Sequence, residues 1–123
     1  MAERTSLSRV RRGEVFLVNF DPTVGVEIQK TRPAVVIQND IGNRYSQLTI
    51  VAAITSQYAE PLAPYKVLLE APEGGMKVNS VVLLNQIRSI DKKRLIKRLG
   101  TLSAEMMRRV DQAMMISLGL VKL

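Results

Sequence analysis

The sequence predicts a mainly β domain, a strongly bent antiparallel sheet or small barrel plugged by a C-terminal α-helix. Three observations carry that prediction. Apolar, β-branched runs follow one another through the first ninety residues, and the breaks between them are short and rich in Pro, Gly, Asp and Asn. The apolar period changes from strand-like to helical only after Asp91. Strands joined by short loops and followed by one helix bury their apolar faces most simply by curling around a single core.

Residues 1–10 are polar and without periodicity, and are expected to form a flexible tail before a single domain over 11–123. Gly13 to Phe20 is the first strand, stopped by Asp21-Pro22, and Thr23 to Thr31 reads as a loop. Arg32 to Asn39 is the second strand, with Pro33 near its start, where a missing N–H is tolerated. Asp40 to Arg44 turns the chain. Leu48 to Thr55 is apolar enough to be buried on both faces, and Tyr65 to Glu70 follows the Pro61–Pro64 loop. After a turn at Pro72–Gly75, Ser80 to Ile90 makes one long strand or two joined by a bend. Asp91 can cap a short basic helix, Lys92 to Leu99, closed by Gly100. Ser103 can cap a longer helix with Glu105 in its first turn, placing Leu102, Met106, Val110, Ala113, Met114 and Leu118 on one face.

Composition excludes several chemistries. The chain has 123 residues, 46% of them hydrophobic, which suits one globular domain. It contains no Cys and no His, so thiolate nucleophiles, imidazole bases and the triads built on them are excluded. Any catalysis must use Arg, Lys, Thr, Ser, Tyr or carboxylates. No apolar N-terminal signal and no run near the ~20 residues that span a bilayer is present, so a cytoplasmic protein with no membrane contact is expected. The net charge of +7 is concentrated at the ends. Residues 1–12 carry four basic groups against one acidic, 13–87 five against seven, and 88–123 nine against three. Basic ends fit a polyanionic partner such as nucleic acid, and fit a solvated surface equally well.

The most informative stretches are Arg12-Gly13-Glu14-Val15, Asp21-Pro22-Thr23-Val24-Gly25-Val26-Glu27 and Arg32-Pro33-Ala34-Val35-Val36-Ile37. They are followed by Gln38-Asn39-Asp40-Ile41-Gly42-Asn43, Ala53-Ile54-Thr55-Ser56 and Asn85-Gln86-Ile87-Arg88-Ser89-Ile90-Asp91. In this order and spacing the chain resembles the MazF/PemK family of toxin endoribonucleases over roughly residues 11–120, most nearly the Gram-positive, EndoA-type branch. The resemblance implies a small SH3-like β-barrel with short helices and a C-terminal α-helix, assembled as a homodimer. It implies sequence-specific, metal-independent cleavage of single-stranded RNA, with no cofactor. It also implies a MazE-like antitoxin whose acidic C-terminal tail lies across the RNA-binding surface.

The resemblance maps the family's catalytic pair onto Arg32 and Thr55, and groove-lining positions onto Glu27, Asn39, Asn43, Gln86 and Arg88. Elementary chemistry agrees with the pair. Arg32 can hold phosphate oxygens bidentately and bear the charge that develops on them, and Thr55 can offer a hydroxyl. With its pKa above ~12, Arg32 is assigned charge stabilisation before proton transfer. On the residues alone, an Arg before Pro is equally a surface side chain, and a Thr at a strand end equally a β-former. The other five polar residues suit base recognition or turn formation, and Tyr45, Tyr58 and Tyr65 suit base stacking or core packing. Without His, Cys or a carboxylate cluster, the chemistry within reach is attack by the substrate's own 2′-OH.

Two other functions compete: a gyrase-inhibiting toxin like CcdB, which shares this barrel, and a non-catalytic RNA-binding module. Retention of both Arg32 and Thr55 argues against each. The loop Val26-Glu27-Ile28-Gln29-Lys30-Thr31 lacks the Ser, Gln and Gly found in many relatives and gains Ile28 and Lys30. That loop is expected to move on substrate and antitoxin binding. The methionines Met106, Met107, Met114 and Met115 exceed one narrow core stripe, so helix 103–118 is expected to contribute to a dimer interface.

Overall fold

The computed structural model describes residues 9–28 and 30–122. Most of the expected N-terminal tail, residues 1–8, lies outside them. Six strands form one antiparallel sheet: β1 (Glu14–Asn19), β2 (Thr31–Val36), β3 (Leu48–Thr55), β4 (Lys66–Leu69), β5 (Ser80–Asp91) and β6 (Leu95–Thr101), in the order β4-β5-β3-β2-β1-β6. Among the described residues two α-helices are added, α1 (Asp40–Tyr45) and α2 (Ala104–Ser117).

The sheet is buried on both faces. One face and α2 enclose a cluster that includes Val15, Val35, Ile54, Leu69, Val82, Leu84, Met107 and Val110. The other face curls over Phe16, Val18, Phe20, Ala34, Val36, Val51, Ala53, Ile90 and Leu95. The middle of β3, Val51 to Ile54, is fully buried, as its unbroken apolar run requires. A short 3₁₀ turn after β4, Glu73–Gly75, lies backbone against backbone on β6. Gly75 has φ +81°, and a Cβ there would sit 2.1 Å from the Leu99 carbonyl oxygen. Only glycine permits that approach, which draws the two ends of the curled sheet together.

Two elements differ from expectation. Asp40 to Arg44 is no simple turn but most of α1, because the Asn39 side chain accepts the Gly42 N–H at 2.8 Å and so caps a helix. The basic helix expected over Lys92 to Leu99 is only a 3₁₀ turn, Lys92–Arg94, followed by β6. Asp91 does cap it, accepting the Lys93 N–H at 2.8 Å. Beyond it, pairing wins over local propensity: β6 completes the open edge of β1, from Glu14↔Thr101 to Val18↔Leu95. There Leu95 enters the second cluster and Arg98 stacks over Phe16 at 5.1 Å. Exposing that edge would cost several ladder hydrogen bonds, more than the few tenths of a kcal/mol per residue that helix propensity offers.

Helix α2 starts where Ser103 predicts, its Oγ accepting the Met106 N–H at 3.2 Å. Its core face is Met107, Val110 and Ala113, with Met106 and Met114 half-buried beside them. Leu118, expected on this stripe, is 57% exposed because the helix ends at Ser117.

Candidate functional site

The site is set by strand register. β2 and β3 pair antiparallel as Ala34↔Ala53, Val35↔Ala52 and Val36↔Val51. Ala34, Val36, Val51 and Ala53 all belong to the cluster on the face away from α2. With a side-chain period of two, Arg32 and Thr55 fall on that face, each two residues beyond the Ala34↔Ala53 pair at which the β2–β3 ladder ends. Arg32 is exposed, whereas Thr55 is half-buried. The Thr55 hydroxyl accepts the Gln57 N–H at 3.0 Å, which fixes its orientation. Its 3.5 Å approach to the Gln57 carbonyl is too long to hold the hydroxyl proton, which is available to an incoming oxygen.

A groove of about 380 Å³ opens on the β5 side of this face, lined by Phe20, Glu27, Ile28, Asn85, Gln86 and Arg88 among others. A bulge in β5 builds its floor. On β3 the adjacent residues Ala52 and Ala53 pair with Ile87 and Leu83, so Leu84, Asn85 and Gln86 are extruded from the β3 ladder. Gln86 is thereby turned to the loop between β1 and β2. Its Oε1 accepts the Ile28 N–H at 3.3 Å and its Nε2 donates to the Val26 carbonyl at 3.4 Å. Arg88 donates from Nη1 to the Phe20 carbonyl at 2.6 Å and lies 6.0 Å from the centre of the Phe20 ring. Glu27 is exposed and accepts the Val24 N–H at 2.6 Å.

The same loop is closed at its neck. The Phe20 N–H donates to the Lys30 carbonyl at 2.9 Å, and the Lys30 N–H to the Asp21 carboxylate at 2.8 Å. Arg94 donates to the Asn19 carbonyl at 3.0 Å and also to that of Asp21. Ile28, one of the residues that distinguish this loop, packs against the second apolar cluster. The loop therefore has an apolar anchor as well as polar ties. The loop, its neck and the adjoining strands carry Lys30, Arg32, Arg88 and Arg94, against Asp21 and Glu27.

Asn39 and Asn43 are placed elsewhere, at the far end of β2 around α1. Asn43 is fully buried. Its Oδ1 accepts from Gln38 Nε2 at 3.0 Å and from Thr49 Oγ1 at 2.7 Å, while its Nδ2 donates to the Gln38 carbonyl and to Asp40. Every polar valence is used, so Asn43 has nothing to offer a base, and its expected place among the groove residues is corrected to a structural one. Lys92 adds a bond to the Asn43 carbonyl, and its burial pushes its ammonium pKa down. Asn39 is exposed but occupied by capping α1. Sequence reasoning missed Phe20, Ile28, Asn85 and Arg94. A polar Asn85-Gln86 pair inside an apolar strand is the one signal that could have found the bulge.

Among the described residues no group of three or more Asp or Glu side chains gathers in a way that would hold a metal ion. Among them, too, no helix is long and apolar enough to cross a membrane. The family model of PemK-like, MazF-like toxins of type II toxin–antitoxin systems matches residues 11–118. Endoribonuclease EndoA of Bacillus subtilis (strain 168) is 48% identical over 112 residues, covering 91% of this chain and 97% of that protein. MazF of Deinococcus radiodurans superposes with a TM-score of 0.77 at 28% identity, covering 89% of this chain and 96% of that one. A chain of the same organism's MazE–MazF structure (Form-II) gives 0.73 at 27%, covering 92% and 98%. With its fold, its motifs and a family match over nearly all its length in agreement, the chain belongs to the PemK-like, MazF-like toxins of type II toxin–antitoxin systems, and its 48%-identical relative is an endoribonuclease.

Proposed function

We propose that this toxin is an endoribonuclease that cuts single-stranded RNA by attack of the substrate's own 2′-OH, with no metal ion or other cofactor. What supports the reading is the register of β2 and β3, which puts Arg32 and Thr55 on one face of the sheet, together with the groove lined by Gln86, Glu27 and Arg88. In the reaction the 2′-oxygen–phosphorus bond forms as the bond to the 5′-oxygen breaks. The 2′-OH proton passes to water in the open groove and the 5′-oxygen takes one up. Arg32 neutralises the charge that grows on the non-bridging oxygens, and Thr55 donates its free hydroxyl proton to one of them. The products are a 2′,3′-cyclic phosphate and a 5′-OH.

Glu27, Gln86 and Arg88 line the path of the bases around the cut and give the cleavage its sequence preference. Their groups already bind the β1–β2 loop, so RNA must exchange some of those bonds for its own. Asn39 contributes only through α1. The chain acts in the cytoplasm as a homodimer, with the methionine-rich side of α2 covered by the second copy. Its inhibitor is a MazE-like antitoxin with an acidic tail, in line with the MazE–MazF structures of Deinococcus radiodurans. Incubation with a long mixed RNA in EDTA tests the reading: discrete fragments bearing 5′-OH ends support it, and intact RNA refutes it.

A further inference from the structure

A second recess lies at the opposite end of the same face. It has a volume of about 690 Å³ and is lined by Arg9, Val10, Arg11, Ile41, Arg44 and Tyr45, together with Asp40. Three arginines face one carboxylate there, and that carboxylate is turned inward, accepting the Arg12 N–H at 2.7 Å and an Asn43 N–H at 3.2 Å. Two large apolar side chains stand open to solvent, Tyr45 and Ile41, each 76% exposed. The Arg44 guanidinium lies 5.4 Å from the centre of the Tyr45 ring. Tyr65 packs against the core cluster and Tyr58 is half-buried, so Tyr45 is the most exposed of the three tyrosines.

Position gives this recess its meaning. Val10, in its wall, and Phe20, in the wall of the β5 groove, belong to one apolar cluster. The two recesses therefore flank the same ridge, joined along β2 from Arg32 to the start of α1. At ~3.3 Å per strand residue they are separated by on the order of 20 Å, a few nucleotides of extended chain.

We infer that the Arg9–Arg11–Arg44–Tyr45 surface is an accessory binding site for single-stranded RNA, which takes the stretch of substrate flanking the cut. This rests on the reading of the chain as a ribonuclease, and extends it to a second point of attachment. The chemistry is that of non-specific single-strand binding: a ring open for a base to stack on, stiffened by a guanidinium, among cations that follow the phosphates. Such a site contributes affinity for long RNA and places no demand on sequence.

Fluorescence anisotropy with 2′-O-methyl RNA tests it, since such strands lack the nucleophile and stay intact. Strands of about 3 and about 20 nucleotides are compared, the shorter too short to reach from one recess to the other. Tyr45→Ala should weaken binding of the longer strand at least about tenfold and leave the shorter one unchanged. The pair Arg9→Ala and Arg44→Ala should also lower the salt slope for the longer strand by about 1.4, at ~0.7 for each phosphate no longer neutralised. Unmodified RNA of the shorter length should be cut by both variants at the wild-type rate. Unchanged affinity for the longer strand overturns the inference, as does an equal loss on both lengths. Altered sedimentation of the RNA-free variants also overturns it, by making the surface an interface between copies. Failure of the ribonuclease reading is separately visible: the wild-type protein would then leave unmodified RNA intact.

Discussion

The side-chain amide of Gln86 grips the backbone on both sides of Glu27, accepting the Ile28 N–H at 3.3 Å and donating to the Val26 carbonyl at 3.4 Å. A bulge in β5 thus reaches across the groove and holds the β1–β2 loop at two points. Gln86→Leu removes both bonds at nearly constant volume. Each is worth about 1 kcal/mol, so the Ile28 amide should exchange its hydrogen roughly tenfold faster or more. Hydrogen exchange read at Ile28 checks this, and unchanged protection would mean that the apolar anchor alone holds the loop.

That anchor can be tested separately. Ile28→Gly removes the side chain that packs on the second apolar cluster while leaving both Gln86 bonds possible. A half-buried Ile contributes about 1–2 kcal/mol of apolar burial. Proteolytic nicking of the 21–30 loop should accelerate by a factor of about ten, and the global melting temperature should move little.

Asn43 and Asn39 are expected to behave as structural residues of different weight. Asn43→Ala strands the Thr49 hydroxyl in the interior and removes the two bonds that tie Asn43 to Gln38, and should lower stability by about 2–4 kcal/mol. Asn39→Ala loses one helix cap and should cost about 1 kcal/mol. Urea unfolding of both variants decides it. Equal, negligible losses would argue that the buried network carries no stability.

Acid should weaken the same corner of the fold. The Arg12 backbone N–H holds the Asp40 carboxyl below its ordinary pKa against an opposing desolvation, aided by Asn43, Arg11 and Arg12. A carboxyl with a folded pKa below its unfolded value stabilises the fold above the unfolded pKa. That contribution disappears as pH falls through the folded one. Stability should therefore drop below about pH 4 more steeply in the wild type than in Asp40→Asn. Urea midpoints measured across that range, and parallel in the two proteins, would show that Asp40 has no part in the acid response.

Much of the fold is legible in the residues themselves. β3 can be read to its ends because the apolar run Ile50 to Ile54, flanked by β-branched Thr49 and Thr55, lies between polar turns. The start of α2 follows from Ser103. Lys92 to Leu99 misleads because its charge pattern suits a helix, and only the open edge of β1, a non-local fact, makes it a strand. Asn43 misleads for a related reason: a polar residue beside Gly42 looks solvated until Thr49 and Gln38 fold around it. That Arg32 and Thr55 share a face rests on a register no local pattern reveals, and in the sequence motif resemblance alone links them. The groove is harder to see, since it depends on where β5 bulges. The second recess is invisible in the sequence, because it assembles the N-terminal arginines with α1, thirty residues away.

Arg32 should be the larger of the two catalytic losses. Arg32→Ala should slow cleavage at least ~100-fold, the scale of losing a main transition-state donor. Arg32→Lys should restore little, since an ammonium cannot span two phosphate oxygens. Thr55→Ala should also lose activity with its melting temperature nearly unchanged. Single-turnover rates under saturating protein check all three, and a fully active Arg32→Ala would remove the residue from the mechanism.

In the proposed reaction the nucleophile belongs to the RNA, and one substrate decides whether it does. Once the cut position is known, a single 2′-deoxy sugar is placed immediately 5′ of the scissile phosphate in an otherwise unmodified strand. Its affinity and cleavage are then measured in EDTA beside the all-ribose strand. The deoxy strand should bind within about twofold of its parent, since one hydroxyl contributes at most a weak hydrogen bond, and should remain uncut while the parent yields 2′,3′-cyclic phosphate and 5′-OH ends. Cleavage of the deoxy strand at the parent's rate, or loss of all activity in EDTA, would contradict the account.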